Sequence, residues 1–145
     1  MSEVQHVAQV RVSGGRRGHA RSSDGGLDVH LAPPSSADTA GTNPEQLFAA
    51  AYGACFASAV HAVRRERAMS QTEVTIDATV SLVRDQQGVY DIAVALDVSL
   101  PGISDAAEAA DLIRAADRKC PYSRAIRGNV AVAINLNGAP VSVNP

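Results

Sequence analysis

Apolar and polar residues alternate along two neighbouring stretches in the second half of the chain. Within residues 72–83 and again within 90–100, every second residue is apolar. This period of two is typical of β-strands that bury one face. Gln86, Gln87 and Gly88 lie between the stretches and favour a turn. The pattern therefore predicts a β-hairpin.

The same reasoning indicates three further strands, at residues 4–12, 27–31 and 129–136. Asn137-Gly138 supplies a turn after the last of these strands and leads into a final apolar segment at 141–143. Two polar segments, 13–26 and 32–41, are predicted as loops. Both are too short to link separate domains.

The first helix is predicted to begin after Thr42 or Asn43, either of which can cap it. Pro44 suits the first turn, and Glu45 stands three residues after Thr42, as in a capping box. We expect this helix to continue to about residue 67.

A second helix is predicted from about residue 105, with Ser104 or Asp105 as its cap, to just before Pro121. Because proline disfavours helical geometry in the preceding residue, Cys120 is expected at the helix end. The predicted order is β-β-α-β-β-α-β. Strands that are grouped rather than strictly alternating with helices favour an α+β fold, and the length suits a single domain over residues 1–145.

Charge and hydropathy exclude several classes of function. The formal net charge is -2, and the Arg residues are spread among carboxylates, so nucleic-acid binding is not expected. Residues 47–63 carry no charge if His61 is neutral, but they fall short of the roughly 20 strongly apolar residues of a membrane span and are rich in Ala. We interpret this segment as a buried core helix. No leader pattern follows Met1, so the expected location is cytoplasmic.

The chain has two cysteines, and each lies in a distinctive local sequence. Cys55 lies in LFAAAYGACF and Cys120 opens CPYSRAIRGN; they do not form a CxxC motif, and no His or Cys stands at a spacing suited to a metal site. Taken alone, Cys55 fits either a buried small apolar residue or a thiol that a cation activates. His61 follows Cys55 by six residues, about 240° around a helix, so a Cys-His dyad is not expected. In a reducing compartment, a catalytic or sensing disulfide is more usual than a structural one.

Five fragments stand out in order along the chain: GGRRG (14–18), SSDGGLDVHL (22–31), GTNPEQLFAAAYGACF (41–56), LPGIS (100–104) and CPYSRAIRGN (120–129). This ordered set resembles the motifs of the organic hydroperoxide resistance proteins, within the broader OsmC-like superfamily. The resemblance extends from about residue 8 to the C-terminus. CPYS followed by RGN favours this branch over its osmotically inducible sister.

The resemblance implies a thiol peroxidase without haem, flavin or metal. Such an enzyme reduces organic and lipid hydroperoxides and is reset by dihydrolipoamide or a lipoylated protein. The family's reactive cysteine corresponds to Cys55, its resolving cysteine to Cys120, its essential arginine to Arg16 and its glutamate to Glu45. The implied fold has antiparallel sheets around a long Cys-bearing helix and forms an intertwined homodimer. This chain departs from the family at a few positions. It has Asp117, Arg124 and Ile126 where family members often have His, Asn and Thr, and its loop before residue 41 is shorter than usual.

The residue types agree with this chemistry. An arginine at position 16 can favour a thiolate and donate to peroxide oxygens, and Glu45 can hold its guanidinium. From the residues alone, Arg16 also fits a solvated loop charge and Glu45 a capping-box carboxylate. Ten residues of straight helix separate Glu45 from Cys55 by about 15 Å. Either the helix breaks, for example at Gly53, or Arg16 and Glu45 approach Cys55 from a second subunit; we expect the second.

Three other functions remain compatible with the sequence. One is an OsmC-type peroxidase of broader specificity, another a thiol redox sensor without turnover, and the third a structural dimer with inert thiols. The family resemblance, together with Leu47, Phe48 and Phe56 near the first cysteine motif, favours bulky organic hydroperoxides over hydrogen peroxide as substrates.

Overall fold

A computed structural model describes residues 2–35 and 40–143. Within the predicted loop at 32–41, residues 36–39 therefore lie outside the described part. The chain divides into two compact units, residues 1–47 and 48–145. The expectation of one domain over the whole chain stays a prediction.

The first unit contains a three-stranded antiparallel sheet with strand order β1-β2-β3. Its strands are β1 (Val10–Ser13), β2 (His19–Ser22) and β3 (Asp28–His30). The sequence predicted only the outer two strands, the first of them too long, and assigned β2 to a loop. A one-turn 3-10 helix at Gly15–Arg17 reverses the chain between β1 and β2. The reversal requires Gly18, because a Cβ atom there would lie 1.7 Å from the Ser13 carbonyl oxygen.

The second unit contains a four-stranded sheet with strand order β4-β5-β6-β7. Its strands are β4 (Thr75–Arg84), β5 (Tyr90–Ser99), β6 (Ala131–Leu136) and β7 (Ala139–Val141). β4 and β5 form the predicted hairpin, with Thr75 opposite Ser99. β5 and β6 are parallel, since helices connect them, whereas the other pairs are antiparallel. Asn137 and Gly138 have positive φ angles at the tight turn before β7.

The described residues form three α-helices, α1 (Pro44–Glu66), α2 (Ala106–Lys119) and α3 (Pro121–Ile126). Asn43 caps α1, because its side-chain oxygen accepts from the backbone N–H of Gln46. Asp105 caps α2 by accepting from two backbone N–H groups. The sequence missed α3: proline ends α2, as predicted, but it also suits the first position of a new helix.

The core of the second unit lies between α1, α2 and the sheet. Its buried side chains include Tyr52, Phe56, Val60 and Val63 of α1, Val94, Leu96 and Val98 of β5, and Leu112, Ile113 and Ala116 of α2. By length and composition alone α1 could also cross a membrane. One of its faces nevertheless forms part of this core, as we expected of a core helix. The mixed architecture confirms the predicted α+β class.

Candidate functional site

The two cysteines of the chain are in contact. The Cys120 thiol donates a hydrogen bond to Cys55 Sγ, and the sulfur atoms are 3.6 Å apart although 65 positions separate the residues. Both cysteines are reduced. Since a disulfide bond is about 2.05 Å long, the sulfurs need to approach by only about 1.5 Å to bond.

Local sequence explains how Cys120 reaches this position. Its backbone N–H closes the last turn of α2 on Ala116, and its carbonyl accepts from Arg124 in α3. Between the two helices it adopts an extended conformation, with φ -62° and ψ 120°, as Pro121 requires. Cys120 is thus the corner between α2 and α3, and the corner directs its thiol at α1.

The two thiols differ in accessibility. Cys55 is half-buried, whereas Cys120 is fully buried. Burial raises the pKa of the Cys55 thiol above its ordinary value, and the neighbouring Cys120 thiol adds to the rise. The backbone N–H of Tyr122 acts in the opposite direction on this pKa. Cys55 is therefore the thiol that a solute can reach, but it needs a cation to become a thiolate at neutral pH.

Arg16 and Glu45 form a bidentate ion pair within the first unit. The guanidinium donates to both carboxylate oxygens, at 2.6 and 2.9 Å. Hydrogen bonding to Arg16 is the main reason why the pKa of Glu45 lies below its ordinary value. The Arg16 side chain remains 49% exposed. Because both Glu45 carboxylate oxygens accept from Arg16, Glu45 does not match the capping-box alternative. The exposed part of the Arg16 guanidinium can still donate to a ligand.

The four predicted residues thus form two pairs, one in each compact unit: Arg16 with Glu45, and Cys55 with Cys120. Helix α1 is continuous from Pro44 to Glu66. The alternative of a break near Gly53 is therefore wrong: helical hydrogen bonding continues through that glycine. The roles of the four residues stay predictions.

Sequence reasoning missed a polar network beside Cys120. The Tyr52 hydroxyl and Ser123 Oγ are 2.8 Å apart in the core. Arg127 donates to Asp117 Oδ2 at 2.8 Å and to the Asp117 carbonyl oxygen at 3.2 Å. A signal existed in the sequence: Asp117 lies four residues after Ile113 on the apolar face of α2, and a carboxylate there requires a partner.

Aromatic side chains that lie close in sequence to the two cysteines pack against one another. Tyr122 stacks on Tyr52 with 6.0 Å between ring centroids, and Phe48 contacts both rings edge-on. Tyr122 is 37% exposed, but Phe56 is fully buried. From the sequence, Phe56 fitted either a substrate surface or the core, and its burial supports the core.

In both sequence and fold, this chain is similar to the OsmC-like proteins. Residues 36–135 match the family model described as OsmC-like protein. The organic hydroperoxide resistance protein of Xanthomonas axonopodis pv. citri is 42% identical over 138 residues, which cover 92% of this chain and 96% of that protein. The organic hydroperoxide resistance protein OhrB of Bacillus subtilis is 42% identical over 133 residues, covering 90% and 96%.

Solved structures agree with these sequence relatives. The crystal structure of Bacillus subtilis OhrB has a TM-score of 0.87 and covers 92% of this chain and all of that chain. A structure of an organic hydroperoxide resistance protein from Legionella pneumophila has a TM-score of 0.86 at 38% identity, covering 92% and 98%. The chain belongs to the OsmC-like family and, within it, to the organic hydroperoxide resistance proteins.

Proposed function

We propose that this protein is a cytoplasmic thiol peroxidase that reduces organic hydroperoxides to alcohols. The observation that carries the proposal is an accessible Cys55 whose sulfur lies 3.6 Å from that of a buried Cys120. A peroxide in solution meets Cys55 first, and Cys120 is already positioned to react next. Membership of a family whose relatives are named for resistance to organic hydroperoxides supports the substrate class.

The reaction begins when the Cys55 thiolate attacks one peroxide oxygen. The O–O bond breaks, the alkoxide takes up a proton and leaves as an alcohol, and Cys55 becomes a sulfenic acid. The Cys120 thiol then attacks the Cys55 sulfur and releases water, which leaves an intramolecular disulfide. A dithiol such as dihydrolipoamide, free or on a lipoylated protein, reduces the disulfide and closes its own ring.

Arg16 and Glu45 supply the cationic part of the site in this proposal. The guanidinium favours the Cys55 thiolate and donates to the peroxide oxygens, while Glu45 fixes its orientation through two charge-assisted hydrogen bonds. On an unbroken helix, ten residues correspond to about 15 Å between Glu45 and Cys55. The pair therefore serves the Cys55 of a second subunit, and the active form is a homodimer.

Exposed apolar surface supports a dimer. Val10 and Val12 lie on one face of edge strand β1 and are 48% and 58% exposed. In the second unit, the small residues of α1 around Gly53 and the half-buried face of β4 around Ile76 and Ala78 line an open groove. A second copy would cover apolar surface of this kind.

The test is a thiol count during turnover. Reduced protein is mixed with a slight excess of cumene hydroperoxide, free thiols are counted, and peroxide loss is followed after dihydrolipoamide is added. Cys55→Ser should abolish turnover, whereas Cys120→Ser should react once and accumulate sulfenic or higher oxides. Oxidation of the wild type without turnover would instead indicate a redox sensor, and unreactive thiols would indicate a structural role.

Subunit mixing tests the shared site. Inactive Arg16→Ala and Cys55→Ser proteins are unfolded and refolded together, so that heterodimers form. One of the two sites in each heterodimer then contains both intact residues, and activity should return. If heterodimers form and activity stays absent, Arg16 does not act across the interface.

A further inference from the structure

The hydroxyl pair of Tyr52 and Ser123 is placed symmetrically with respect to the two cysteines. Tyr52 precedes Cys55 by three residues on α1, and Ser123 follows Cys120 by three residues on α3. Residues three apart lie on the same helix face. The hydrogen bond of 2.8 Å between the hydroxyls therefore connects the cysteine-bearing face of α1 to the first turn of α3, the helix that Cys120 caps.

This bond lies in the protein interior. Tyr52 is 1% exposed and Ser123 is 3% exposed. Each hydroxyl depends on the other, since an unpaired polar group costs more inside the core than at the surface. Ring stacking of Tyr52 on Tyr122 also holds α3, but stacking tolerates sliding, whereas a hydrogen bond fixes distance and direction.

The hydroxyl pair also borders a pocket that is partly open to solvent. A cavity of about 250 Å³ is lined by both hydroxyl-bearing residues and, among others, by Asp117, Arg127 and Val132. Without the hydrogen bond, α3 would have room to shift on that side. On that side, the hydrogen bond between the hydroxyls therefore adds a restraint on α3 that packing does not supply.

We propose that Tyr52 and Ser123 are positioning residues that keep the Cys120 sulfur within reach of Cys55, so that the disulfide closes before the sulfenic acid reacts further. This inference rests on the proposed peroxidase function for its role in turnover. Its structural basis is a hydrogen bond that keeps the two sulfurs close enough to form the disulfide. That basis does not depend on which oxidant acts. Neither residue touches the reacting oxygen atoms in this proposal.

The first test measures formation of the Cys55–Cys120 disulfide in the absence of peroxide. Tyr52→Phe, Ser123→Ala and the double variant are equilibrated with graded ratios of reduced to oxidised glutathione, and the closed fraction is measured by alkylation and mass spectrometry. Each variant should need a glutathione mixture about fivefold more oxidising than the wild type, because loss of the restraint lowers the population in which the sulfurs can bond. The double variant should equal the singles, since all three lose the same bond.

Ser58→Ala is the matched control. Ser58 lies three residues after Cys55 on α1, but its hydroxyl donates to Ala54 of the same helix at 2.9 Å. The Ser58→Ala variant should form the Cys55–Cys120 disulfide at the same glutathione ratio as the wild type. Thermal unfolding separates positioning from stability: each single variant leaves a buried hydroxyl unpaired and should unfold at a lower temperature, whereas the double variant should recover much of that loss while its closure defect persists.

A second arm adds cumene hydroperoxide with dimedone, which traps sulfenic acid. Variants that lack the bond should give more dimedone adduct of Cys55 and less disulfide than the wild type. Unchanged closure and trapping in variants with a lowered unfolding temperature would overturn the proposal and leave the pair a merely structural role. A closure defect in glutathione, with no reaction of any variant or the wild type with peroxide, would support the positioning role and overturn the peroxidase function instead.

Discussion

Closing the Cys55–Cys120 disulfide should raise the free energy of unfolding by about 4 kcal/mol. A cross-link between residues 65 positions apart removes loop-closure entropy from the unfolded chain, and the chain-entropy relation gives this magnitude for a loop of that length. Native strain would subtract from the gain. The sulfurs already lie 3.6 Å apart in the reduced protein, so the distortion on closure is small.

The assay compares urea unfolding of reduced protein with that of protein oxidised by one equivalent of diamide. Both samples need the same subunit concentration, because the proposed dimerisation would add to apparent stability. Cys120→Ser, treated identically, is the control and should show no gain. If the oxidised wild type is no more stable than the reduced form, closure strains the fold and the sulfur contact is not a preformed disulfide geometry.

Three further perturbations follow from the geometry. Arg127→Met leaves a buried carboxylate unpaired and should cost about 2 kcal/mol in urea unfolding, whereas Arg67→Met breaks an exposed pair and should cost below about 0.5 kcal/mol; equal losses would contradict this. In the proposed shared site, Arg16→Met removes the cation that favours the Cys55 thiolate, so the pH midpoint of Cys55 alkylation by iodoacetamide should rise and the rate at pH 7 should fall about tenfold per pKa unit; an unchanged midpoint would rule out an effect of Arg16 on Cys55. The wild type should have a higher kcat/KM for cumene hydroperoxide than for hydrogen peroxide, and Phe48→Ala should reduce that ratio; equal values in the wild type would argue against apolar recognition.

Local patterns predicted most of the fold. The period-two stretches gave β4 and β5 to within three residues at each end, because each strand buries one face. The caps of α1 and α2 were identified as one of two adjacent residues in each case. The sequence missed β2 because HARS has no apolar alternation, and its pairing between β1 and β3 comes from the turn at Gly14 and Gly18.

The site was less predictable than the fold, and the reason is physical. The family resemblance predicted two pairs, Glu45 with Arg16 and Cys55 with Cys120, but the motifs themselves do not determine which side chains meet. Tyr52 and Ser123 are 71 positions apart, and nothing in the period of either helix indicates that their hydroxyls face each other. That contact arises from the docking of α3 on α1, which tertiary packing determines.

Two opposite requirements apply to Cys120, the corner residue between α2 and α3. In the proposed reaction, Cys120 must be close enough to resolve a sulfenic acid, yet buried enough that an external peroxide meets Cys55 first. An extended residue between two helices satisfies both demands, because Pro121 fixes the corner and the flanking helices exclude solvent from the thiol. Asp117 in the last turn of α2 and Arg127 just after α3 then join the two sides of the corner through an ion pair. The order of the two proposed chemical steps thus follows from which sulfur is exposed.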